Sequence, residues 1–207
     1  LEHFKRDLQA LEDLDKLALQ ENLAYFLNAV IPEAEDLGVK MAIHPDDPPF
    51  PVFGIPRVVS THEDVQNILH SCPSPSNGLT FCSGSFAASE NNNLIKIIQD
   101  FGDKIHFIHL RNVERQGEGR FYESSHLGGS VPMAEVMREL VQEQQRRLEN
   151  GNQEVTIPMR PDHGLVVLDD QHRETEFYPG YSLIGRAVGM AELKGLEVGV
   201  RNGLGLS

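Results

Sequence analysis

The sequence predicts an α/β protein, a parallel sheet or barrel that carries about the last four βα units of a (β/α)8 barrel. Three observations predict it. A helical segment is followed by four apolar runs, each succeeded by a helix-period stretch, and that order gives parallel strands with right-handed crossovers. His44, Cys82, His109 and Asp162 each stand just after one of those runs, and strand ends on the carboxyl side of such a sheet converge on the face that carries the active site. The 207 residues, 40% of them hydrophobic, suffice for one sizeable core but fall short of the roughly 250 a complete barrel takes. Residues 1–207 therefore read as a single domain, a partial barrel whose N-terminal strands are missing. Leu1 at the first position, where a native start would place Met, points the same way.

From about Phe4 to Asp36 the leucines Leu8, Leu11, Leu14, Leu17 and Leu23, then Phe26, Leu27 and Val30, recur at helical spacing, and Gly38 marks the stop. The first strand is Val39 to Ile43, followed by a loop too rich in proline for regular structure, Pro45-Asp46-Asp47-Pro48-Pro49-Phe50-Pro51. Thr61-His62-Glu63-Asp64 opens the next helix, with Thr61 as cap and Asp64 at the capping-box position. The strand Leu79 to Phe81 follows, then a Ser/Gly loop, a helix through Leu94, Ile97, Ile98 and Phe101, and the strand around Ile105 to Ile108. Arg111 to Ser130 is a polar loop, longer than an ordinary connection and hence a functional candidate. A helix from Pro132 to about Glu149, a strand from Val155 to Met159, a second long loop to Gly180 and a helix from about Tyr181 to Lys194 complete the order.

A net charge of −13, from 18 basic and 31 acidic residues, argues against a nucleic-acid partner, which would select a basic patch. No apolar run approaches the 18–20 residues of a membrane span, and nothing resembles a signal peptide. The two cysteines, Cys72 and Cys82, do not make a disulfide framework, and a reducing cytoplasm is the natural setting for a free thiolate ligand.

Singly, a histidine or a cysteine at a strand end is more often structural. Together, two imidazoles, a thiolate and a carboxylate form a donor set that suits Fe²⁺, Mn²⁺ or Zn²⁺. Between His106 and His109, the strand-end position favours His109. Arg160-Pro161-Asp162-His163-Gly164 sets an acid beside a titratable base, with a glycine that lets the backbone turn tightly.

Five segments carry a resemblance: Ala42-Ile43-His44-Pro45-Asp46-Asp47-Pro48-Pro49, Phe81-Cys82-Ser83-Gly84-Ser85, His109-Leu110-Arg111-Asn112, Arg160-Pro161-Asp162-His163-Gly164 and Pro179-Gly180-Tyr181-Ser182-Leu183-Ile184-Gly185-Arg186. Together they resemble the mannonate dehydratases of hexuronate degradation, over nearly the whole chain from about Glu21 to Glu197. The resemblance implies a TIM barrel of the xylose-isomerase-like kind that dehydrates D-mannonate to 2-keto-3-deoxy-D-gluconate with Mn²⁺ or Fe²⁺. It places the metal ligands on His44, Cys82, His109 and Asp162. Further catalytic residues fall on His163 and Tyr181, with Tyr178 the weaker claimant.

Such a reaction needs one group to take the proton beside the carboxylate and another to protonate the departing hydroxyl. His163 and Tyr181 are the expected pair, in either order, with Asp162 a possible participant if it is not held on the metal. Arg111 is placed to pair with the substrate carboxylate, and His126 to close over the substrate from the long loop. A homo-oligomer is expected. Two rivals remain open: a metal-dependent sugar isomerase or epimerase on the same barrel, and a half-barrel that serves only for subunit association.

Overall fold

The computed structural model describes residues 1–117, 119–173, 178 and 180–206. Its centre is a four-stranded sheet in the order β1 (Met41–Ile43), β2 (Asn77–Cys82), β3 (Ile105–His109) and β6 (Met159–Arg160), with every neighbouring pair parallel. Helices intervene between successive strands, as parallel crossovers require. They are α3 (His62–Ser71) after β1, α4 (Ser83–Ala87) and α5 (Leu94–Phe101) after β2, α6 (Met133–Glu149) before β6, and α7 (Leu183–Gly203) at the end. The helices are packed in sequence, α2 (Lys16–Asp36) on α3, α5 on α6 and α6 on α7.

The main core lies between sheet and helices and is built from Leu79, Phe81, Ile105 and Ile108 of the strands against Ile97, Ile98, Val136, Met137, Leu140 and Leu193. One irregularity in β3 serves it. Leu79 pairs with Ile105 but Thr80 pairs with Phe107, so His106 is an extra residue in the ladder. This bulge lets Ile105 and Ile108, three positions apart, both enter the helix-facing core. A smaller cluster joins Leu27 and Ile31 of α2 to Val58, Val59 and Ile68.

The Thr61 cap forms as expected: its hydroxyl accepts from Asp64 N at 3.1 Å while Asp64 Oδ2 accepts from Thr61 N. Other elements differ from the sequence reading. The N-terminal helix is two helices, α1 (Glu2–Gln9) and α2, because Asp15 caps the second by accepting from Ala18 N at 2.8 Å. The Ser/Gly segment after Cys82 is the short helix α4. The strand expected from Val155 to Met159 is reduced to Met159–Arg160, since Pro158 has no N–H to give a ladder and offers only its carbonyl to Ile108 N. The long loop holds an antiparallel hairpin, β4 (Val113–Arg115) and β5 (Phe121–Glu123), which among the described residues makes no ladder with the main sheet. The last helix runs on to Gly203 rather than stopping at Lys194. Glu118 of the loop, and residues 174–177 and Pro179 of the connection before α7, lie outside the described residues.

Candidate metal centre and surrounding site

The sheet brings His44, Cys82, His109 and Asp162 together. Each offers one ligand atom, and these atoms all lie within 4.8 Å of one another. Lateral strand pairing does this: Cys82 is the register partner of His109 across β2 and β3, and His44 and Asp162 lie just past the ends of the flanking strands β1 and β6. Cys82, His109 and Asp162 are buried, whereas His44, just past the end of β1, is exposed.

The surroundings orient these donors. His44 Nδ1 lies 2.7 Å from the Pro45 carbonyl, which leaves Nε2 as its free nitrogen. The Ser85 hydroxyl donates to Cys82 Sγ at 3.1 Å. Arg160 Nη2 donates to Asp162 Oδ1 at 2.6 Å, and Asp162 Oδ2 lies 3.6 Å from His109 Nδ1. His109 Nδ1 is itself buried with no hydrogen-bond partner. A buried ring nitrogen left without a partner, beside a thiol, a second imidazole and a carboxylate, fits a divalent cation.

The Cys82-Ser83-Gly84-Ser85 run is explained residue by residue. Ser83 Oγ donates to the Arg111 carbonyl at 2.6 Å and accepts from Arg111 N at 3.0 Å, which stitches the end of β2 to the chain just beyond β3. A Cβ on Gly84 would stand 2.5 Å from Arg111 Cγ, so only glycine lets the arginine stem lie across α4.

Arg111 is not free for a substrate carboxylate, as the sequence reading expected. Its side chain is 4% exposed and its guanidinium grips two carboxylates: Nη2 reaches Glu123 Oε1 at 2.5 Å, Nε lies 3.0 Å from both Glu123 oxygens, and Nη1 meets Asp47 Oδ2 at 2.5 Å. Burial opposes the Arg111 charge, but Glu123 and Asp47 outweigh it and raise its pKa. Burial likewise works against the Glu123 carboxylate, yet His163 and Arg111 hold its pKa down at about 2.

Glu123 is the residue that sequence reasoning missed. Its carboxylate stands 2.9 Å from His163 Nδ1, whose ring centroid is 5.1 Å from that of Tyr181, while His163 Nε2 is 3.7 Å from Asp162 Oδ2. Two glycines make room here. Gly180, at φ +84°, lies under the His163 ring, and a Cβ on Gly164 would stand 2.5 Å from Arg186 N. Gly164 N donates to the Gly180 carbonyl at 2.8 Å, which draws the two segments together. The Arg186 guanidinium carbon lies 5.4 Å from the Tyr181 ring centre. Tyr178 is 78% exposed.

His126 also differs from expectation. Rather than standing out from the loop it is 4% exposed, with Nε2 3.0 Å from the Pro161 carbonyl and its ring against the α7 backbone at Gly189.

A family model described as D-mannonate dehydratase (UxuA) matches residues 1–205. The chain belongs to the D-mannonate dehydratase family. Within that family, the mannonate dehydratase of Chromohalobacter salexigens is 47% identical over 202 residues, 97% of this chain and 51% of that protein. The crystal structure of mannonate dehydratase from Streptococcus suis serotype 2 matches with a TM-score of 0.83 at 34% identity, covering 95% of this chain and 53% of that one. A xylose isomerase domain protein from Planctomyces limnophilus matches with a TM-score of 0.58 at 12% identity, over 92% of this chain and 56% of its own, a likeness of fold alone. The TIM-barrel class of the xylose-isomerase-like kind is thereby met. This family member spans about half the length of the curated relatives it matches. Among its described residues no helix is long and apolar enough to cross a membrane.

Proposed function

We propose that the protein to which this chain belongs dehydrates D-mannonate to 2-keto-3-deoxy-D-gluconate, using Mn²⁺ or Fe²⁺ held by His44, Cys82, His109 and Asp162. The observation that carries the reading is the placement of His163, between the Glu123 carboxylate and the Tyr181 ring and next to Asp162. When bound, the cation would supply positive charge near the substrate carboxylate, on which negative charge develops as the C2 proton is removed.

His163 takes the C2 proton on Nε2. Its other nitrogen faces Glu123, whose carboxylate stabilises the imidazolium that forms. The Tyr181 phenol gives its proton to the C3 hydroxyl, which departs as water and leaves a C2–C3 enol that tautomerises to the 2-keto acid. Asp162, with one oxygen held by Arg160, serves the cation and is not the base. Arg111 keeps Glu123 ionised and fixed rather than holding the substrate directly. Both cysteines are unpaired and buried, which supports a reducing compartment such as the cytoplasm.

The test is a colorimetric assay for 2-keto-3-deoxygluconate on the full-length protein with D-mannonate and added Mn²⁺ or Fe²⁺. Product that chelator abolishes is expected. His163→Asn and Tyr181→Phe retain metal and lose turnover by at least about a hundredfold. Near-normal turnover in either variant removes that residue from the mechanism, and a product with the mass of the substrate replaces dehydration by isomerisation.

A further inference from the structure

Asp162, a member of the ligand cluster, has its backbone at φ +64°, the left-handed region that a side chain other than glycine enters at a cost. A conformation of that kind persists when its surroundings hold it. Arg160, two residues before it, is held by its carbonyl accepting from Leu110 N at 3.0 Å, and Gly164, two residues after it, by its N–H donating to Gly180 O. The peptide plane between Pro161 and Asp162 is the one whose orientation relative to the Asp162 Cα is that φ. Pro161 has no N–H, and its carbonyl meets the ring of His126, with Nε2 at 3.0 Å. A carbonyl only accepts, so the His126 proton resides on Nε2 and is donated to Pro161 O.

His126 is in turn held on two further sides. Its own carbonyl accepts from Asn112 Nδ2 at 3.1 Å, and Asn112 also bonds Val131, which folds the loop round it. Behind the imidazole lies α7 at Gly189, where any Cβ would overlap the ring. The ring is thus sealed in and rigid, with one hydrogen bond, directed at the backbone of a candidate ligand.

We propose that His126 is a positioning residue for the metal centre: its Nε2–H clamps the Pro161 carbonyl and so locks Asp162 in the left-handed conformation that presents its carboxylate to His44, Cys82 and His109. The assignment rests on the metal-centre reading above. It also accounts for Asn112 of the His-Leu-Arg-Asn segment and for Gly189 in the small-residue run of α7, neither of which reaches the cluster.

The experiment measures the Kd for Mn²⁺ alone, by competition with a chromophoric chelator, in the full-length protein and its variants. Apo-protein melting is recorded alongside. His126→Leu keeps apolar bulk but donates nothing, and it is expected to weaken Mn²⁺ binding by about 10- to 100-fold, the range for supporting residues of metal sites. His126→Gln, whose amide can donate to the same carbonyl, is expected to bind within about threefold of the parent, a rescue that general loosening of the loop would not produce. Gly189→Ala keeps the imidazole but displaces it, and should weaken binding as His126→Leu does even where His126→Leu folds poorly. Parent-like affinity in His126→Leu or Gly189→Ala overturns the proposal, as does equal loss in the Gln and Leu variants. A parent protein that binds no Mn²⁺ overturns the metal-centre reading itself, and His126 with it.

Discussion

Replacing Glu123 by glutamine tests the ion-pair network that holds His163. The carboxylate sits at about pKa 2 in the folded protein against an ordinary 4.5, because His163 and Arg111 outweigh the cost of its burial. That difference corresponds to about 3 kcal/mol. The side chain is 29% exposed, so solvent screening trims the net contribution to roughly 2 kcal/mol. The sign follows from the depressed pKa: the contribution is fully present above about pH 5 and is lost as pH falls through the folded value near 2. Glutamine has nearly the same shape and does not titrate. The variant is therefore less stable than the parent by roughly 2 kcal/mol at pH 7, and the gap closes on acidification toward pH 2. Urea unfolding of both proteins at intervals between pH 2.5 and 7 measures it, with the parent curve subtracting all other carboxylates. Parallel stability curves, with a gap that does not change with pH, would show that Glu123 is not held ionised by its partners.

Cys82→Ala removes the thiol on which the Ser85 hydroxyl closes and is expected to lower the metal content that survives dialysis; unchanged content would refute ligation. Thr61→Ala breaks one half of the capping box of α3 and should cost about 1 kcal/mol in thermal or urea unfolding, with no change in metal content. Gly164→Ala puts a Cβ 2.5 Å from a backbone nitrogen of α7 that has no room to yield, so a loss of about 1–3 kcal/mol and a displaced His163 are expected; a melting temperature equal to the parent's would count against that packing.

The four candidate ligands were legible because a parallel sheet turns a one-dimensional signal, a polar residue after an apolar run, into a three-dimensional meeting point. Thr61 and Asp64 were legible for a similar reason, since a cap is a contact between residues three apart. What escaped the sequence depends on partners far along the chain. Arg111 looks available in isolation, and only the fold shows two carboxylates, 64 and 12 positions away, already on it. His126 reads as a loop histidine until α7 is seen to close over it at a glycine. Glu123 carries no local mark, and three-residue strands such as β4 and β5 are too short for alternation to register. The break between α1 and α2 was hidden by leucines that keep helical spacing straight through it, and β6 shrank because proline interrupts a run that is otherwise apolar.

The hairpin has a mechanical consequence. Among the described residues its two strands pair only with each other, so the sheet and the hairpin are separate frames joined end to end at the exit of β3. The sheet frame sets the four candidate ligands, whereas the last residue of the hairpin sets the anchor of His163. Arg111 belongs to the join and grips Glu123 on one frame and Asp47 beyond β1 on the other. A single guanidinium therefore acts as the dowel that keeps two frames in alignment. His163 follows Asp162 directly in the chain, so what that pin sets is where the Glu123 carboxylate stands against the imidazole beside the cation site.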